Sequence, residues 1–214
     1  MSRERFEQAL SSIHHEVLDM ASITEQAIDD AITALVYGDK ELAQKIIAGD
    51  DRVDEMERMI ERRCVEVIAT QQPIAGDLRF ITAILKMVTD LERIADHAAD
   101  ISELVLEFSK EETRMDLKKI SAMANMATDM VKDAINAYVY RDAALADSVI
   151  QKDETVDAEF TARVAHIQSL CIENTDLIPD ATRILFIIKY IERIADHATN
   201  IAEWAKYNIE GWQK

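Results

Sequence analysis

The chain has 214 residues, enough for one large domain or two small ones, and sets four Gly and two Pro against 49% apolar and 30% charged residues. That balance, with no alternating run of β-branched residues closed by turn residues, excludes a sheet protein and reads as all-α. A net charge of −17 repels nucleic-acid phosphates and anionic lipid, so neither a nucleic acid nor direct binding to a membrane surface is expected; a cation or a basic protein surface fits better.

In chain order, the opening MSRERFEQAL lacks the apolar stretch of a signal peptide. The first helix is predicted at roughly 4–37, from apolar positions at Phe6, Leu10, Ile13, Val17, Met20, Ala27, Ala31 and Leu35. Gly38 and Asp39 break and restart the chain, and a second helix follows at about 39–70. The turn TQQPIAGD leads into a third helix that starts at Pro73 or Asp77 and runs to about 108. SKEET links this half to a second set of helices at about 113–140, 142–174 and 179–210, with NTDLIPD before the last. The longest aliphatic and aromatic run, Ile184–Ile188, is too short to span a bilayer, and a cytoplasmic location is expected. Cys64 and Cys171 occupy apolar positions without metal-motif spacing and read as reduced core residues.

The second half copies the first. Residues 30–54 align without a gap on residues 133–157, matching Asp30 with Asp133, Tyr37 with Tyr140, Asp50 with Asp153 and Asp54 with Asp157. The word ERIADHA occurs at Glu92–Ala98 and again at Glu192–Ala198. A repeat of this length is too long for a solenoid unit. It predicts two tandem three-helix bundles, 1–109 and 110–214, whose six long antiparallel helices join along their length.

On a helical wheel Glu92 falls inside the apolar arc of Ile81, Leu85, Val88 and Ala99, with Asp96 at its edge and Asp100 beyond. Glu192, Asp196 and Asn200 repeat this. Asp50 and Asp54 share a face with Ala43, Ile46 and Val53, and Asp153 and Asp157 copy them. Each half therefore directs carboxylates at four-residue spacing from two helices toward its bundle. Near a core, such a pair repels by roughly 3 kcal/mol at an effective dielectric near 20. Protonation, Arg neutralisation or a bridging metal can relieve this. Arg93 and Arg193 lie at the margin of the face and help only in part. Oxygen-rich sites of this kind suit Mg²⁺, Mn²⁺, Fe or Zn²⁺. A polar groove neutralised by Arg is the alternative from the residues alone. His97 and His197 follow their Glu by five positions, not the three of a di-iron carboxylate helix, and read as packing or hydrogen-bonding residues. The halves are unequal: Glu57 and Glu61 on the acidic face are matched by Phe160 and Val164, and Asp100 by Asn200. The first site is expected to hold more metal, or to hold it more tightly.

The doubled E-R-x-x-D-x-x-x-[DN] word, in LERIADHAADI and YIERIADHATNI, with an upstream D-x-x-x-D in each half, resembles the PhoU family across nearly the whole chain. Where the family word carries Gly before Asp, this chain carries Ala95 and Ala195. The resemblance implies a non-enzymatic negative regulator of the phosphate-starvation response. Such a protein is an adaptor between the ATPase of a phosphate ABC transporter and a phosphate-sensing histidine kinase, restrains phosphate uptake, and forms a homodimer. It also implies iron or zinc on the acidic words: Asp50, Asp54, Glu92, Asp96 and Asp100, then Asp153, Asp157, Glu192, Asp196 and Asn200, supported by Arg93, Arg193, Glu57 and Glu61. Two other readings stay open: a helical carboxylate-bridged metallo-enzyme, and an accessory protein of another phosphate transporter. Against the first, the chain has no Ser/His/Asp set and no phosphate-cradling Gly loop.

Overall fold

Long helices form where the apolar periodicity places them. The computed structural model describes residues 3–108 and 117–211. These residues fold into α1 (Arg3–Tyr37), α2 (Lys40–Gln71), α3 (Ala75–Glu107), α4 (Leu117–Tyr140), α5 (Ala143–Glu173) and α6 (Ile178–Glu210). A single 3-10 turn, Thr175–Leu177, precedes α6. The SKEET linker, the division at 109/110 and the expected start of the fourth helix lie outside the described residues.

The breaks work as their chemistry requires. Gly38 takes a left-handed φ of 63° after α1, and Arg141 takes the matching position after α4 at φ 54°. Asp39 then caps α2, accepting from Leu42 N at 2.9 Å, and Asp142 caps α5, accepting from Leu145 N at 3.0 Å. Each cap contributes about 1 kcal/mol. Both Asp residues stand just before their helix, which moves the two starts one residue past the sequence expectation.

α3 and α6 form the centre and run antiparallel. Lys86 on α3 lies 6.0 Å from the Trp204 ring of α6, and at the other end Arg183 donates to Glu107 at 3.2 Å. Their crossing is packed by Ile94, Ala95, Ala98, Ile194, Ala195 and Ala198, all buried. Small Ala side chains let the helices approach, while each fully buried Ile contributes roughly 1.5–3 kcal/mol. The two ERIADHA words therefore meet at a pseudo-twofold centre. α1 packs on α2 and α3, and α4 on α5 and α6; α1 also meets α4, so the repeats share one continuous core. Among the described residues α2 and α5 do not touch each other, which leaves each as an outer helix of its own repeat. Cys64 is fully buried and Cys171 partly so; both are free thiols, and burial pushes the Cys64 thiol up to about 12. Among the described residues no helix is long and apolar enough to cross a membrane.

Candidate metal centres

The outer helix of each repeat faces its central helix, and their acidic words meet there. In the first repeat, Asp50 and Asp54 of α2 and Asp96 of α3 each bring one oxygen within 4.8 Å of the others. In the second, Asp157 of α5 joins Glu192 and Asp196 of α6 in the same way. Asp54 matches Asp157 and Asp96 matches Asp196, so two positions of each trio are inherited and the third differs. All three acids of the first trio are half-buried; Asp157 and Asp196 of the second are exposed. The trios thus lie at the groove edge, and the second is wetter.

Glu92 and Asp153 flank these trios. Burial pushes the Glu92 carboxyl up to about 7, Asp96 adds to the rise, and Arg93 offsets only part of it. Arg93 donates to Asp96 at 3.0 Å, and its Nε lies 3.3 Å from Glu92 Oε2 without hydrogen-bond alignment. That buried oxygen has no hydrogen-bond partner. Burial and then Asp96, Asp54, Asp51 and Asp100 raise Asp50 to about 6. Burial and then Asp196, Asp157 and Glu192 raise Asp153 to about 6, with the Thr199 hydroxyl opposing. Asp196 is raised as well, by burial and then Glu192. Carboxylates held this far from their ordinary range are short of positive charge. An ion bound among them would supply it.

Two of the sequence-predicted residues turn elsewhere. Asp100 accepts from His97 Nδ1 at 3.2 Å, although its charge still reaches Asp50. Asn200 donates to Asp90 at 3.1 Å. Both face the seam between α3 and α6. His197 donates to the same Asp90 oxygen at 2.8 Å. His97 is buried, stacks on Tyr190 with ring centroids 5.4 Å apart, and burial lowers its pKa. The two His residues are packing and hydrogen-bonding groups of the seam. Asp90, only 9% exposed, escaped the sequence reading. Its signal was there: seven residues before His97, it shares that helical face.

The repeats differ as their residues suggest. Glu57 is raised by burial, with Glu61 and Asp54 adding to the rise and the Thr89 hydroxyl and Arg93 opposing it. At the matching place Phe160 packs on the core, with Lys189 Nζ 5.5 Å from its ring centroid. Lys189, which stands where Thr89 does, also pairs with Glu192. Arg193 makes no ion pair with Glu192 or Asp196; its charge bears on His97 across the seam and on Tyr190 of its own helix. A cleft of about 460 Å³ opens beside Asp50, lined by Gln26, Asp30, Lys45, Gly49 and Arg52 among others. Lys152 stands where Gly49 does, and its ammonium lies 2.6 Å from Asp133, the counterpart of Asp30.

The PhoU domain model matches residues 17–105 and again 120–205. A Clostridium acetobutylicum protein named as a phosphate-specific transport system accessory protein PhoU homolog is 38% identical over 214 residues, covering 100% of this chain and 98% of its own. The phosphate-specific transport system accessory protein PhoU of Escherichia coli is 34% identical, covering 97% of this chain and 86% of its own. The crystal structure of PhoU from Pseudomonas aeruginosa superposes with a TM-score of 0.94 at 34% identity, over 97% of this chain and all of that one. That of the phosphate transport system regulatory protein PhoU from Streptococcus pneumoniae gives 0.89 at 31% identity, over 97% and 98%. With two copies of the domain, the same six-helix fold and relatives matched over most of their length, this chain belongs to the PhoU family.

Proposed function

We propose that this protein is an accessory regulator of phosphate-specific transport that works as a metal-binding adaptor, without catalysis of its own. The relatives named above are accessory or regulatory proteins of that system. The observation that carries the metal reading is the pair of cross-helix carboxylate trios at the groove edge, with Asp50 and the flanking Glu92 and Asp153 raised by burial and by their acidic neighbours. The donors are all oxygen. That favours hard cations, with ferric iron or Mn²⁺ and Mg²⁺ ahead of Zn²⁺, which prefers nitrogen and sulfur.

The adaptor acts by differential binding: the metal-loaded or transporter-bound form favours a complex that silences the phosphate-sensing histidine kinase and restrains uptake by the transporter ATPase. The protein works in the cytoplasm as a homodimer. The test is a pull-down against the transporter ATPase and the sensor kinase, with and without phosphate, using protein purified without chelator. Phosphate-dependent capture of both supports the adaptor, and capture of neither refutes it. Metal content of the Glu92→Ala, Glu192→Ala double variant tests the site. Helix content stays intact and bound metal falls; a full metal complement overturns the ligand assignment.

A further inference from the structure

At the end of the molecule where α1 and α3 begin and α4 and α6 finish, a cavity of about 430 Å³ lies between the two repeats. Its walls include Ser11, His14, Arg79, Arg141, Asn208 and the backbone of Gly76. Three features set it apart. First, Arg79 and Arg141 pair with no carboxylate among the described residues, although the chain holds 41 acids against 24 basic residues. The buried Arg79 Nε has no hydrogen-bond partner at all. Second, Asn208 is 94% buried, lines the cavity and makes no hydrogen bond to a described residue. Its amide atoms stay within reach of solvent, so they open onto the cavity and can bond a group that enters it. Third, Gly76 lies in the first turn of α3, whose opening N–H groups face an incoming anion favourably.

The one carboxylate in the wall, Asp77, is committed to the Ile74 N–H at 3.3 Å. His14 shares a 2.8 Å hydrogen bond with the Tyr138 hydroxyl, and burial lowers its pKa. Two guanidinium groups against one carboxylate leave the cavity net positive in a strongly acidic chain. The donors are not a by-product of the duplication. The opposite end carries Pro179 where Arg79 stands, Gly38 where Arg141 stands and Phe108 where Asn208 stands.

We infer that this end cavity is an anion subsite that takes a phosphate-sized oxyanion between Arg79, Arg141 and the Asn208 amide. Forked guanidinium donors match the oxygens of a phosphoryl group, and the amide of Asn208 adds a neutral donor that fixes its orientation. The subsite is distinct from the carboxylate trios and does not depend on a metal there.

Calorimetric titration of the full-length protein in EDTA, with inorganic phosphate and separately with AMP at matched ionic strength, tests it. Saturable binding of either at one site per chain is expected, phosphate alone marking the free ion as ligand and AMP alone a phosphoryl headgroup. Arg79→Gln and Arg141→Gly each weaken binding at least about tenfold. Arg141→Gly keeps the fold, because glycine accepts the left-handed φ of that position. Asp54→Asn with Asp157→Asn leaves binding unchanged. Absence of saturable binding overturns the inference, as does binding that survives both arginine substitutions or that disappears with the aspartate pair.

Discussion

Replacing Glu92 by Gln removes one negative charge from the first acidic groove while keeping the shape of the side chain. In the metal-free protein the rise of this carboxyl from 4.5 to about 7 corresponds to roughly 3 kcal/mol between its protonated and ionised forms. The side chain is only 14% exposed, so solvent screening reduces this little. Because the folded state holds the proton more tightly than the unfolded one, the penalty is absent well below pH 4.5, grows as pH rises, and is complete above about 7. In EDTA, Glu92→Gln is therefore more stable than the parent at pH 8, by about 2 kcal/mol once the charge shared with Asp96 is allowed for. At pH 5 the gain shrinks to about 1 kcal/mol or less. Urea unfolding followed by circular dichroism at the two pH values measures both numbers. A variant no more stable than the parent at pH 8, or a gain that does not change with pH, refutes the claim that these carboxylates are stressed.

Asp54→Ala lowers metal uptake more than Asp157→Ala, because the first groove has Glu57 and Glu61 where the second has Phe160 and Val164; equal losses in a metal titration count against this. Gly49→Ala raises stability by about 0.5–1 kcal/mol, since Gly49 sits inside α2 and an added Cβ meets nothing within 4 Å. A thermal melt reads it, and a lower Tm contradicts the open space. Ile94→Ala, at the crossing of α3 and α6, costs about 2–5 kcal/mol and lowers the urea midpoint. A cost below about 1 kcal/mol would show that the crossing is not packed as described.

The helices were legible because their punctuation is chemical. Gly38 supplies a left-handed φ, Asp39 and Asp142 supply caps, and the Pro73 and Pro179 segments open helices. The facing of α2 on α3 followed from the apolar stripe shared by Asp50, Asp54, Ile46 and Val53. Rotation about the helix axis was less legible. A wheel places Asp96 and Asp100 only about 40° apart, yet Asp96 meets the outer helix and Asp100 meets the seam. The wheel also treats a helix as having one buried face, and the central helices have two. α3 buries Val88 and Leu91 as well as Asp90 and His97, so a polar residue on its second face looks exposed until α6 is in place. The partners of Lys189 and Arg193 were hidden for the same reason: long cations choose among neighbours that only the packed structure supplies.

Had duplication left the two lobes identical, a partner spanning both could seat itself in either of two ways, half a turn apart, with nothing to choose between them. Here the flipped pose would exchange Glu57 and Glu61 for an aromatic ring and a valine, and would trade the notch at Gly49 for the ammonium of Lys152. One seating is thereby distinguished from the other by charge and shape together. The molecule has a front and a back, like a plug with one wide blade.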